Sequence, residues 1–201
     1  NFFPLKKKYL IKNLNLLVNK NIIFTNFKNN FHVEDISSLK NLRMNSILFL
    51  EKNVSIDQLD FKNIHIYTES ESNKNRFENV TIVKNLNTIY NKLLNEIFFH
   101  EDQIEFTDDF DYKNGSYISK YSDIHSSTKI GKNCVISRGV KIGKNSIIKN
   151  NVVIKNAIIS NDVVVSDNSS IGTSGFGFDF NHRGASNLNP QIGIVFVDKN
   201  V

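Results

Sequence analysis

The sequence predicts a small α/β domain followed by a parallel β-helix of six-residue repeats. Three observations carry this reading. All nine glycines lie at or after Gly115, so the chain changes its grammar there. Before residue 100, helical and extended signals alternate. After residue 117, Ile118, Ile124, Ile130, Ile136, Ile142, Ile148 and Ile154 stand six residues apart without a miss. At this chain's isoleucine frequency, seven in a row from a fixed start has a chance probability of about one in two million. The predicted division is an α/β domain over 1–100, an acidic connector over 101–117, and a β-helix over 118–201 with an excursion at 176–196.

In the first domain, Leu5 to Leu17 reads as a helix entered after Pro4. Ser46–Leu50, Asn63–Tyr67 and Asn79–Val83 are short strands, the last two alternating with period two. Leu86, Ile89, Tyr90, Leu93, Leu94, Ile97 and Phe98 recur at three- and four-residue steps, which predicts a helix over 86–99. Strands and helices in this order make a small α/β unit.

The hexad rule of the second half excludes a helix, because 3.6 does not divide six. It suits a short strand and a corner, with isoleucine pointing into a shared interior and stacked units pairing their backbones. After Ile154 one residue drops out and the rhythm resumes at Ile159, Val165 and Ile171. The fourth place after each key position is mostly small or β-branched: Ser122, Thr128, Cys134, Val140, Ser146, Val152, Ile158, Val163, Ser169, Gly175. These are read as second inward positions beside a bend. Gly131, Gly143 and Gly172, with Asn133, Asn145, Asn151 and Asn168, are read as corner residues that tolerate unusual backbone angles.

Composition excludes several classes. Sixteen Phe and 25 Ile supply apolar surface to bury, so this is no disordered tail. No run approaches the roughly 18 apolar residues of a membrane span. A single cysteine rules out an internal disulfide and fits a reducing compartment, and no secretion signal opens the chain; a cytoplasmic location is expected. The net charge of +5 is scattered, with Lys6-Lys7-Lys8 the only run, so no nucleic-acid partner is expected.

Individual residues add little chemistry by themselves. His125 follows an inward isoleucine and reads as a solvated corner residue, while His182 reads as an exposed loop residue. His32, His65 and His100 show no ligand spacing, residues 118–201 hold only two histidines, and no metal or cofactor is expected. Cys134 reads as a core filler. No phosphate-cradling glycine motif of the P-loop or dinucleotide type is present.

On its hexads the chain resembles the hexapeptide-repeat acyltransferases, whose repeats form a left-handed parallel β-helix of three units per coil. Ile171-Gly172-Thr173-Ser174-Gly175-Phe176-Gly177-Phe178, an excursion, then Asn189-Pro190-Gln191-Ile192-Gly193 is similar to the interrupted coil of one family in that group. This family is the UDP-3-O-acylglucosamine N-acyltransferases of lipid A biosynthesis. Ile36-Ser37-Ser38-Leu39 followed by Ile47-Leu48-Phe49-Leu50 is similar to the motif of its N-terminal uridine-binding domain. Val54 and Ser55 stand where that family places a tyrosine.

The resemblance implies transfer of a 3-hydroxyacyl chain from acyl carrier protein to the 2-amino group of a UDP-linked, 3-O-acylated glucosamine, by a homotrimer. It implies that Phe49 stacks on the uracil ring; the alternative is a core role. Phe176, Gly177 and Phe178 are candidate substrate contacts, with the two rings either lining an acyl or pantetheine channel or capping the apolar column. The family's catalytic base is a histidine several coils beyond Pro190-Gln191. It is therefore expected past Val201, the chain being read as an N-terminal portion without turnover of its own. Rival readings are a nucleotide-sugar acetyltransferase using acetyl-CoA and a non-catalytic β-helical binding module.

Overall fold

The computed structural model describes residues 4–52, 54, 63–99, 108–175, 177–180, 186–188 and 190–201. The chain forms two compact units. One holds residues 5–98 with 178–190, the other 1–4, 99–177 and 191–201.

The first unit begins with β1 (Tyr9–Leu10), α1 (Ile11–Leu17), β2 (Ile22–Phe27), β3 (His32–Val33) and β4 (Asp35–Ser37). It continues through β5 (Ser46–Leu50), β6 (Ile64–Thr68), β7 (Asn79–Val83) and α2 (Leu86–Ile97). Five strands make one sheet in the order β2-β7-β6-β5-β4, all parallel except β2, which runs antiparallel to β7. One sheet face carries the apolar set Leu48, Leu50, Ile64, Ile66, Val80 and Ile82.

Helix α2 matches its periodicity, burying Ile89, Leu93, Leu94 and Ile97. Its N-terminus is closed from within the protein. Asn85 Oδ1 accepts from Thr88 N at 2.9 Å and Glu69 Oε1 accepts from Leu86 N at 2.8 Å.

The predicted helix over Leu5–Leu17 is corrected at its start: only Ile11–Leu17 is helical. Tyr9 and Leu10 pair instead with Val33 and His32, and Lys6 N donates to Ile97 O. Three consecutive lysines offer no apolar stripe to bury, so external pairing wins over the helical start.

The second unit is a β-helix-like array. Its strands are β8 (Phe110–Lys113), β9 (Ser116–Ser119), β10 (Asp123–Ile124), β11 (Lys129–Ile130), β12 (Val135–Ile136), β13 (Lys141–Ile142) and β14 (Ile147–Ile148). After these come β15 (Val153–Ile154), β16 (Ala157–Ile159), β17 (Val164–Val165) and β18 (Ser170–Ile171). A hairpin of β19 (Phe178–Phe180) and β20 (Ser186–Leu188), grouped with the first unit, precedes β21 (Val195–Val197).

Three parallel ladders form: β9-β12-β15-β18, β10-β13-β16-β21 and β11-β14-β17. Each key residue pairs with the one three units later, as Ile118 does with Ile136, Ile136 with Ile154 and Ile148 with Val165. Inside lies one apolar column. It runs from partly buried Ile118, Ile124 and Ile130, through fully buried Ile136, Ile148 and Ile154, to partly buried Ile171 and Val197.

The corners are regular. Asn133, Gly139, Asn145, Asn151, Asn156, Asp162, Asn168 and Asn200 all take positive φ, between 41° and 76°. Only Gly, Asn and Asp occupy that region at low cost.

Three hexad expectations need correction. Ile158 is not the small inward residue of its unit; Ala157 is fully buried there, while Ile158 is only half-buried and pairs with Lys141. The missing residue was taken from the corner, where Asn156 (φ 41°) follows Ile154 by two places instead of three. Gly143 serves space and not angle: a Cβ there would lie 2.4 Å from Asn161 Oδ1 and 2.7 Å from Ser160 C of the next coil. Gly175 is exposed, because the chain has already left the ladder after Ile171.

Two boundaries also read differently in three dimensions. Residues 110–113, within the acidic stretch, form β8 and pair antiparallel with β9. The ladder resumes at Val195, inside the span assigned to the excursion.

Candidate functional site

Phe49 sits on β5, half-buried. Its ring stacks on Tyr67 with centroids 5.6 Å apart and planes at 20°. It also meets Tyr90 of α2 edge-on at 5.0 Å. One part of the ring is thus built into an aromatic cluster and part remains accessible.

Beneath Phe49 lies a buried polar network that the sequence reading missed. The Tyr67 hydroxyl donates to Asn15 Oδ1 at 2.6 Å, and Thr81 Oγ1 donates to the same oxygen at 3.3 Å. Asn15 Nδ2 donates to Thr25 Oγ1 at 3.3 Å. Thr81 Oγ1 also lies 2.8 Å from Thr25 Oγ1 and 2.8 Å from His65 Nε2.

Burial holds the His65 imidazole neutral. Its Nδ1 is buried without a hydrogen-bond partner. Burial pushes its pKa from 6.5 down to about 3, and burial also raises the Tyr67 phenol. A fully buried imidazole cannot meet a substrate amine, so the network supports Phe49 and Tyr67 and performs no acid–base step. The available signal was two polar residues, His65 and Thr81, each flanked on both sides by apolar residues in its strand.

A second candidate region, in the other unit, is the interrupted coil. Ile171 of β18 pairs with Ile154, and the chain then leaves the ladder through Gly172 at φ 68°. A Cβ on Gly172 would fall 1.8 Å from Lys155 O, so no other residue fits that exit. Gly177 is half-buried, and the Phe178 backbone pairs with Leu188 in the β19–β20 hairpin. Phe176 lies outside the described residues.

The two ends of the excursion meet. A Cβ on Gly175 would stand 3.8 Å from Gln191 Oε1, and β21 then returns to pair with β16. Gly175 and Gln191, from the two halves of the motif, come together. Phe49 and Phe178 belong to one unit and Gly177 to the other.

A cavity of about 400 Å³ opens above the first coil. Its floor is Ile118, Ile124 and Ile130, and its rim includes Asp111, Lys113 and His125. His125 is exposed; its Nδ1 accepts from Ser127 N at 3.2 Å and lies 2.9 Å from Ser127 Oγ. Cys134 is fully buried and its thiol donates to Lys149 O at 3.0 Å, a core position. Among the described residues, no three His, Cys, Asp or Glu side chains converge as metal ligands.

Residues 118–181 match the family model described as GMPPB C-terminal domain. The match covers the hexads and the start of the excursion, and leaves residues 1–117 outside it. No curated protein matches the chain. No described helix is long and apolar enough to cross a membrane.

Proposed function

We propose that the protein is an N-acyltransferase acting on a nucleotide-linked amino sugar. The acceptor is a UDP-3-O-acylglucosamine and the donor a 3-hydroxyacyl thioester of acyl carrier protein, in lipid A biosynthesis. The observation that carries this is the interrupted ladder. The chain leaves at Gly172, and Gln191 returns beside Gly175. Val197 then pairs with Ile159 as though nothing had been inserted. The hexads' likeness to the C-terminal domain of a nucleotide-sugar enzyme favours the nucleotide-sugar class.

In this reading the array is left-handed and assembles as a trimer. Phe49, held by Tyr67 and Tyr90, offers its accessible part to the uracil ring. The substrate amine attacks the thioester carbonyl, forming a C–N bond and expelling the thiolate. The amine proton passes to a base, and backbone N–H groups hold the oxyanion. Neither His65 nor His125 is offered as that base: His65 is enclosed, and the Nδ1 of His125 is taken by Ser127.

In this reading residues 1–201 bind UDP-sugar without turning it over. Calorimetric titration with UDP-N-acetylglucosamine should show binding that Phe49→Ala weakens by about tenfold. Incubation with the acyl-carrier-protein thioester and the acylated UDP-sugar should yield no amide. Amide formation by these residues would place the base wrongly, and a Phe49→Ala protein that binds as well as wild type would remove the stacking role. The family match alone also fits a nucleotide-sugar acetyltransferase, and transfer only from acetyl-CoA in an active preparation would select it.

A further inference from the structure

We propose that Asn114 is a self-modification site: its side chain cyclises onto the Gly115 nitrogen, and the isoaspartyl product unpairs β8 from β9. Asn114 and Gly115 form the two-residue turn of the β8–β9 hairpin, at φ 51° and φ 79°. Both angles are positive, as the type I′ hairpin turn requires. Asn114 is exposed and lines both the cavity above the first coil and another of about 670 Å³. Water therefore reaches it. Among the described residues, neither its side-chain amide nor the Gly115 N–H has a hydrogen-bond partner.

Other left-handed asparagines lack this combination. Asn45, Asn133 and Asn168 precede residues whose N–H is already engaged. Ser46 N donates to Asn63 O at 3.1 Å, Cys134 N to Ser116 Oγ at 2.9 Å, and Ser169 N to Ser166 O at 3.4 Å. A bonded N–H must first be released before its nitrogen can attack. A side chain on the following residue also crowds the closing ring, and glycine carries none. Asn114 is the one asparagine in the sequence followed by glycine.

The Gly115 nitrogen attacks Asn114 Cγ and a C–N bond forms. The Cγ–Nδ2 bond breaks, and ammonia leaves with the Gly115 amide proton. Water then opens the cyclic imide. Attack at Cγ gives aspartate; attack at the main-chain carbonyl gives isoaspartate, whose backbone runs through Cβ and Cγ. Both products add a negative charge, but only isoaspartate lengthens the backbone. A two-residue turn has no slack for that, because Lys113 pairs with Ser116 directly beside it. Strand β8 is the edge of its ladder, with β9 as its only neighbour there, so it has no second partner to hold it in register.

Peptide mapping by mass spectrometry, on residues 1–201 held in mildly alkaline buffer, tests this. The peptide holding Asn114 should deamidate about tenfold faster than those holding Asn133, Asn145, Asn151 or Asn168. It should also take a labelled methyl group from S-adenosylmethionine through an isoaspartyl methyltransferase. Gly115→Ala should slow the reaction by about tenfold. Should that variant fail to fold, Asn114→Gln replaces it, since the longer side chain cannot close the same ring. In the isoaspartyl protein, amides of 110–113 should exchange about tenfold faster with solvent. Asn114→Asp carries the charge without the longer backbone and tolerates the left-handed angle, so it should exchange as the wild type does. Deamidation at Asn114 no faster than at the other four asparagines overturns the site. Wild-type exchange of 110–113 in the isoaspartyl protein, or equal loss of protection in Asn114→Asp, overturns the unpairing.

Discussion

Gly143 and Asn145 stand two residues apart at one corner and answer different demands. At Gly143 the next coil's backbone passes where a side chain would begin, so Gly143→Ala should cost about 2 kcal/mol in urea unfolding. Asn145 adopts φ 59°, and its Nδ2 donates to Asp162 Oδ1 at 3.1 Å. There Asn145→Ala should cost about 1–2 kcal/mol, while Asn145→Gly should be close to neutral in the same assay. An alanine tolerated at both places would contradict the close packing of coils. The asparagines were legible as corner residues because Asn133, Asn145, Asn151 and Asn168 each take the third place after an inward residue. The crowding at Gly143 was not, since it depends on Asn161 and Ser160, a full coil away. Ala157 escaped for a related reason: Ile154 and Ile159 show that a residue is missing, and only the position of Asn156 shows from where.

At the scale of elements, β6 places a titratable group inside the sheet. His65 titrates near 6.5 when unfolded and near 3 when folded, so between those values the unfolded chain binds the extra proton. Stability of the first unit should therefore fall as pH drops from 6.5 towards 3, by up to about 1.4 kcal/mol per pH unit. Urea midpoints measured across that range should lose much of this slope in His65→Phe. A slope that survives the substitution would assign the effect to other groups. Helix α2 was legible from its apolar spacing, and three of the sheet's strands as short apolar runs, two of them alternating. Strands β2 and β4 were missed, as was the start of α1. Those segments are held by partners distant in sequence: β2 by β7, β4 by β5, and residues 6–10 by β3 and α2. Local pattern carries little of that information.

Among the described residues, one apolar cluster lies around Leu48, Ile66 and Ile82 in the first unit and another along the isoleucine column in the second. Thermal unfolding should accordingly show two transitions. Ile66→Ala should lower one and Ile148→Ala the other, each by several degrees, as truncating a buried aliphatic side chain costs about 2–5 kcal/mol. A single transition shifted equally by both would show one cooperative block. At this scale the sequence foretold most of the array, because a repeat states its own geometry. The site was legible only in pieces: Phe49 and the glycine-rich exit could be named, while the hydroxyl network beneath Phe49 could not.

The shortened turn after Ile154 has a consequence for how such a chain tolerates change. Because the deletion fell in a bend, Ile159, Val165 and Ile171 still stack beneath Ile142, Ile148 and Ile154. Had a residue been lost within a strand, inside and outside would have exchanged for every later rung. Bends are where this architecture can gain or lose length, and the insertion that follows Ile171 makes use of the same freedom.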